Sequence, residues 1–174
     1  MPHVNLDEVA PEADATDPEG FRALMARVGG TLGATESGAS LYVLPPGQSS
    51  APYHYEYARE EWLLVLSGHP TVRTPEGTAT RAPMNLVFFP KGPAGAHRVS
   101  NDTGDEVRVL MWSTLAVPSA TAYPDSGKVA VSTGVAGEDV VVRRSSAVGY
   151  WDGEVGAAAE GAPSSRRPDA GAED

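Results

Sequence analysis

The chain contains four histidines, His3, His54, His69 and His97, and two of them sit among residues able to share chemistry. In Tyr53-His54-Tyr55-Glu56 the imidazole and the carboxylate are two positions apart, so an extended backbone projects both from one face. Glu61 follows a short connection and opens the apolar run Trp62 to Leu66, which can return a second carboxylate to the same place. His97 re-enters an extended run after the loop Pro90-Lys91-Gly92-Pro93-Ala94-Gly95-Ala96 and can offer a fourth ligand. Two neutral imidazoles and two carboxylates, His54, Glu56, Glu61 and His97, would cancel the charge of a divalent ion. Such a nitrogen and oxygen set suits Fe(II), Mn(II), Co(II), Ni(II) or Zn(II) over Cu(I). Four ligands leave positions open on a six-coordinate ion for substrate or dioxygen. Glu56 has a second role open to it, that of general base, because a carboxylate in an apolar interior has its pKa raised toward working pH.

The elements that must position these residues are mostly strands. From residue 39 onward, short β-rich runs alternate with Pro, Gly, Asn and Asp: Ser40 to Leu44, Trp62 to Ser67, Thr71 to Thr74, Leu86 to Phe89, His97 to Ser100, Val107 to Ser113, Lys128 to Ser132 and Val140 to Arg144. Thr74-Pro75-Glu76-Gly77-Thr78 reads as a tight hairpin turn. The pattern indicates an all-β sandwich or barrel. Before it, Asp17 as cap, Pro18 in the first turn, and Phe21, Leu24, Met25 and Val28 at helical spacing predict a helix over 18–28 within segment 17–29, ended by Gly29-Gly30. Residues 1–16 are expected to form a mobile or loosely docked acidic arm. Residues 152–174, rich in Ala, Gly, Ser, Pro and acids, are expected to be disordered.

Charge is concentrated at the two ends. Thirteen Lys and Arg stand against 23 Asp and Glu, a net of -10 that residues 1–20 and 152–174 supply between them, so residues 21–151 are neutral. No basic stripe exists to neutralise phosphates along a strand, which argues against nucleic acid as a partner. With no cysteine, disulfides, thiolate zinc sites, iron-sulfur clusters and a cysteine nucleophile are excluded. The apolar runs are too short to span a bilayer, and the N-terminus lacks the basic and apolar regions of a secretory signal. A cytoplasmic protein without membrane partners is the resulting expectation.

Two stretches resemble the motifs of the cupin superfamily. Gly47, His54, Glu61 and Gly68 stand at the spacing of the first motif; Pro90, Gly92, His97 and Asn101 stand at positions of the second. The resemblance spans about residues 38–115 and implies an all-β, cupin-like β-barrel or jelly roll, here over residues 30–151 with one short N-terminal helix. It gives metal-ligand roles to His54, Glu61 and His97, and the interval to Gly68 selects Glu61 over its neighbour Glu60. Four departures mark this chain: Glu56 replaces the usual second His, Met84 replaces the opening Gly of the second motif, Asn85 stands where Asp is common, and four residues separate Gly92 from His97 where two are usual.

Because the fold hosts many functions, the resemblance implies two classes. One is a metal-dependent enzyme acting on a small organic molecule by isomerisation, epimerisation or oxygenation. The other is a non-catalytic small-molecule or sugar-binding module, with a structural metal or, where His54 and His97 are merely satisfied interior groups, without one. A homodimer is also implied.

Overall fold

The computed structural model of the protein describes residues 1–156. Thirteen strands are formed among them: β1 (Glu12–Ala13), β2 (Leu24–Ala26), β3 (Ser37–Leu44), β4 (Tyr55–Glu56), β5 (Glu61–Ser67), β6 (Thr71–Thr74), β7 (Gly77–Thr80), β8 (Leu86–Phe89), β9 (Arg98–Ser100), β10 (Val107–Thr114), β11 (Ser119–Tyr123), β12 (Lys128–Ser132) and β13 (Val140–Arg143). All pairings are antiparallel. One wall is a six-stranded sheet in the order β1-β2-β3-β10-β5-β8. The facing wall is built from β7-β6-β9 and β13-β12-β11-β4, and a bridge between His54 and His97 joins the two groups. The expected all-β jelly-roll architecture is thus the one observed.

The inward side of the large sheet is graded along the strands. Register places Glu61 opposite Ser113 and Phe89, Leu63 opposite Met111 and Val87, and Val65 opposite Val109. Tyr42 and Ser40 face the same interior, opposite Val109 and Met111. Leu44, Leu63, Val107 and Val109 pack with Val72 and Val99 of the facing wall into one closed core. The apolar half of each strand closes one end of the barrel, and Glu61, Ser113 and Ser40 leave the other end polar. Alternation along a strand therefore determines both the core and the open mouth.

The N-terminal segment differs from its expectation. The one α-helix among the described residues, α1 (Val28–Thr31), is four residues long and starts where the predicted 18–28 helix should finish. Gly20 adopts φ of +88°, which breaks a helix there. Leu24 to Ala26 instead extend and pair with Leu41 to Val43 at the sheet edge, where strand formation buries apolar side chains that an isolated helix would leave wet. The acidic arm is docked: Glu12 and Ala13 pair with β2, and the Arg108 guanidinium donates to the Asp7 carboxylate and the Leu6 carbonyl. The sheet consequently begins well before residue 30. Most of the expected tail, residues 157–174, lies outside the described residues.

Candidate metal centre

His54 and His97 occupy directly opposed positions on neighbouring extended segments. Each donates its backbone N–H to the other's carbonyl, at 3.0 and 2.8 Å, and their ring centroids are 4.7 Å apart. The Nδ1 atoms are held alike: His54 Nδ1 lies 2.8 Å from the Pro52 carbonyl and His97 Nδ1 2.9 Å from that of Gly95. A carbonyl only accepts, so each ring carries its proton on Nδ1 and turns a bare Nε2 lone pair inward. Fixing the tautomer through the outer nitrogen is the usual support of an imidazole that ligates a metal.

Glu61 completes the group from the first position of β5. Its Oε2 is 3.7 Å from His54 Nε2 and 3.8 Å from His97 Nε2, beyond hydrogen-bond length. His97 Nε2 is buried and has no hydrogen-bond partner among the described residues. The three side chains each present one donor atom, all within 4.8 Å of one another. Burial, and secondarily the charge of His54, lowers the His97 pKa to about 3. Burial lowers that of His54 as well, the Pro52 carbonyl and Glu56 opposing it. Burial and then the Glu56 charge raise Glu61 to about 7, with Arg59 acting in the opposite sense. The short His–Glu distances are thus not ion pairs, because the imidazoles are neutral. Two neutral nitrogen lone pairs and one carboxylate converging on a point from which water is largely excluded fit a divalent ion and leave it open positions.

Local packing secures this arrangement. The Phe89 ring stacks on His97 at 3.7 Å between centroids and 8° between planes. The residues between Gly92 and His97 form a single 3₁₀ turn, Pro93–Gly95, which accommodates the longer loop and brings the Gly95 carbonyl under the imidazole. A Cβ on Gly95 would run into the Pro90 carbonyl, so the turn closes only with glycine. Met84, at the place of the motif's glycine, keeps a glycine-like φ of +68°.

Glu56 faces the interior with His54 but is not drawn into the three-residue group. Its carboxylate accepts hydrogen bonds from Thr121 Oγ1 at 2.6 Å and Ser119 Oγ at 3.4 Å, both on β11. A group already satisfied by two hydroxyls has less reason to turn to an ion. Glu60 lies outside the group as well, and its backbone N–H donates to Thr114 Oγ1. His3 and His69 are exposed.

Beside His54 and Glu61 lies a cavity of about 160 Å³ lined also by Ser40, Tyr42, Ser50 and Ser113, among others. Tyr42 was not singled out by the motifs, although its alternation with Leu41 and Val43 already put it on the opposite strand face from them. Burial and the Glu61 charge push its phenol pKa up, so it remains a hydroxyl donor. Ser119 and Thr121 also escaped the motifs, since Ser-Ala-Thr-Ala-Tyr between two prolines carries little apolar pattern.

Residues 40–113 match the family model described as "Cupin domain". No protein of curated function matches the chain. Among solved structures, a protein of Acidithiobacillus ferrooxidans, proposed to be a sugar phosphate isomerase, is 26% identical; the match covers 82% of this chain and 90% of that one, with a TM-score of 0.73. A sugar phosphate isomerase from a cupin superfamily of Silicibacter pomeroyi is 21% identical over 87% of this chain and 98% of its own, also with a TM-score of 0.73. The polyketide cyclase RemF of Streptomyces resistomycificus is 21% identical over 66% of this chain and 79% of its own, with a TM-score of 0.55. With its motifs set on two facing walls and meeting at one His/Glu/His group, the stretch over residues 40–113 is a cupin domain.

Proposed function

We propose that the protein is a divalent-metal-dependent isomerase or epimerase of a small, sugar-like substrate, with the ion held by His54, Glu61 and His97. The observation that carries this reading is the buried, unpartnered Nε2 of His97, aimed with His54 Nε2 and the Glu61 carboxylate at one point. Leaving such an atom without a partner costs about 1–3 kcal/mol, which a ligand would recover. The likeness to the Acidithiobacillus protein supports the reaction class.

A divalent ion at this place supplies Lewis acidity toward a carbonyl or hydroxyl oxygen. The chain's own residues bind and orient around it. Ser40, Ser50 and Ser113 line the cavity with hydroxyl groups suited to a polyhydroxylated molecule. Tyr42, kept protonated, donates to a substrate oxygen. Glu56, fixed by Thr121 and Ser119, provides the second negative charge that balances the ion from outside its ligand set. The His97 wall, stacked on Phe89, excludes water from the far side.

The test is proton exchange in D2O. Protein reconstituted with each of Fe(II), Mn(II), Co(II), Ni(II) and Zn(II) is incubated with a panel of aldoses, ketoses and their phosphates, followed by NMR. Metal-dependent deuterium incorporation beside the carbonyl supports the reading. Ligands that raise Tm without exchange or product would instead establish a binding module.

A further inference from the structure

A second, larger pocket of about 650 Å³ adjoins the cavity at the candidate metal centre, and Gly38, Ser40 and Tyr42 form walls of both. It carries two guanidinium groups from separate parts of the chain: Arg27, the residue that caps α1, and Arg59, in the connection between β4 and β5. Each is felt by a residue of the inner cavity. The Arg27 charge acts on the Tyr42 phenol, and the Arg59 charge on the Glu61 carboxyl.

Among the described residues no carboxylate lies within 4.0 Å of Arg27 or Arg59, whereas Arg22, Arg73 and Arg108 are paired. Arg59 donates one Nη2 bond to the Ala116 carbonyl, while its Nε–H is buried without a partner. Asp139, the one acid among the described residues of the pocket wall, is occupied by the Thr133 backbone N–H and the Ser132 hydroxyl. The lining side chains therefore leave a positive balance, in a chain of net charge -10. Arginine forks match the oxygens of a phosphate, and such charge-assisted bonds are the strong ones.

We propose that Arg27 and Arg59 bind the phosphate of a phosphorylated substrate whose other end reaches, past Tyr42, the cavity at His54 and Glu61. This rests on the reading of that cavity as the substrate site. It names the substrate class, a small phosphate monoester of a polyhydroxy carbonyl compound, and it divides the cleft into a reacting end and a holding end. Binding energy from such a remote, non-reacting group is what fixes a small substrate in register with its catalytic residues.

Calorimetry on the full-length, metal-free protein tests it, first with inorganic phosphate and then with pentose and hexose phosphates against the parent sugars and the corresponding sugar acids. The expected result is that at least one sugar phosphate binds tenfold or more tighter than its parent and its sugar acid. Arg27→Gln and Arg59→Gln should each weaken phosphate-ester binding about tenfold, as loss of a charge-assisted bond implies, and leave parent-sugar binding unchanged. Arg81→Gln, a cation elsewhere on the surface, should change nothing. Should Arg59→Gln fail to fold, Arg59→Lys and the exposed Arg27→Gln decide the matter. Equal binding of ester and parent, absence of any phosphate binding, or a preference that survives both substitutions would overturn the proposal; a sugar acid binding as tightly as the ester would overturn the phosphate assignment. A His54→Ala/His97→Ala variant that keeps the phosphate preference while losing metal shows that the holding end stands even if the metal reading falls.

Discussion

His54 and His97 exchange both backbone hydrogen bonds across the bridge that joins the two strand groups of the wall facing the six-stranded sheet. The contact that closes the wall therefore also sets the two imidazoles side by side, each with Nδ1 on the carbonyl two residues upstream. Structure and candidate site share one pair of residues. The geometry of the Nε2 atoms follows from sheet formation alone, before any ion binds.

That sharing gives the metal-free protein a distinctive pH profile. His97, with a pKa of about 3 in the fold against 6.5 unfolded, contributes stability that is lost as pH falls from 6.5 toward 3, because only the unfolded chain takes up the proton. Glu61, about 7 in the fold against 4.5 unfolded, contributes stability present below 4.5 and lost as pH rises through 7. His54 is lowered too and acts in the same sense as His97. Thermal unfolding of chelator-treated protein should then show greatest stability near about pH 6, with a decline toward pH 8 that is absent in Glu61→Gln. A metal that removes the Glu61 proton should raise Tm more at pH 8 than at pH 6.

The position of Glu56 separates its role from that of the three grouped residues. Glu56→Gln keeps its shape and its hydroxyl partners but removes a charge, and it is expected to weaken metal binding by about tenfold without abolishing it. The same change should lower the Glu61 pKa below 7, since the Glu56 charge is one cause of its elevation. Isothermal titration with Zn(II) or Co(II), repeated at pH 6 and 8, measures both. Complete loss of binding would place Glu56 among the ligands.

Met84 holds a left-handed backbone that costs a residue with a Cβ, and its side chain is 75% exposed. Met84→Gly is expected to stabilise the protein by about 1 kcal/mol, read as a higher denaturant midpoint at unchanged m-value. Destabilisation would mean that the Met84 side chain makes contacts worth more than its strain.

The outer face of the large sheet bears Trp62 stacked on Trp112 and tilted against Phe88, with Leu86 and Phe88 about half exposed. An apolar strip of this kind suits the homodimer that the family resemblance implies. Sedimentation equilibrium should give a dimer for the native chain and a monomer for Leu86→Lys/Phe88→Glu. A native monomer at about 50 µM, a weak-affinity concentration, would contradict the expectation.

Strands with strong alternation or β-branched runs, such as Glu61–Ser67 and Lys128–Ser132, were legible in the sequence to within a residue. The segment around Phe21 to Val28 was not, because its apolar spacing suits a helix and only the exposed edge of β3 makes a strand the better burial. β11 was missed for want of apolar residues, yet its Ser119 and Thr121 explain why Glu56 stays apart. Spacing brought His54, Glu61 and His97 forward, since motifs preserve distances along strands. The pocket formed by Arg27, Tyr42 and Arg59 joins residues far apart in the chain, and only the fold reveals it.

The central claim is that His54, Glu61 and His97 hold one divalent ion. It is tested most directly by elemental analysis of protein purified without chelator or metal-affinity resin, beside a His54→Ala/His97→Ala variant. The account predicts about one equivalent of iron, manganese, cobalt, nickel or zinc per chain in the native protein and none in the variant. Native protein that stays metal-free after anaerobic reconstitution with each ion, or a variant that retains the metal, would contradict it.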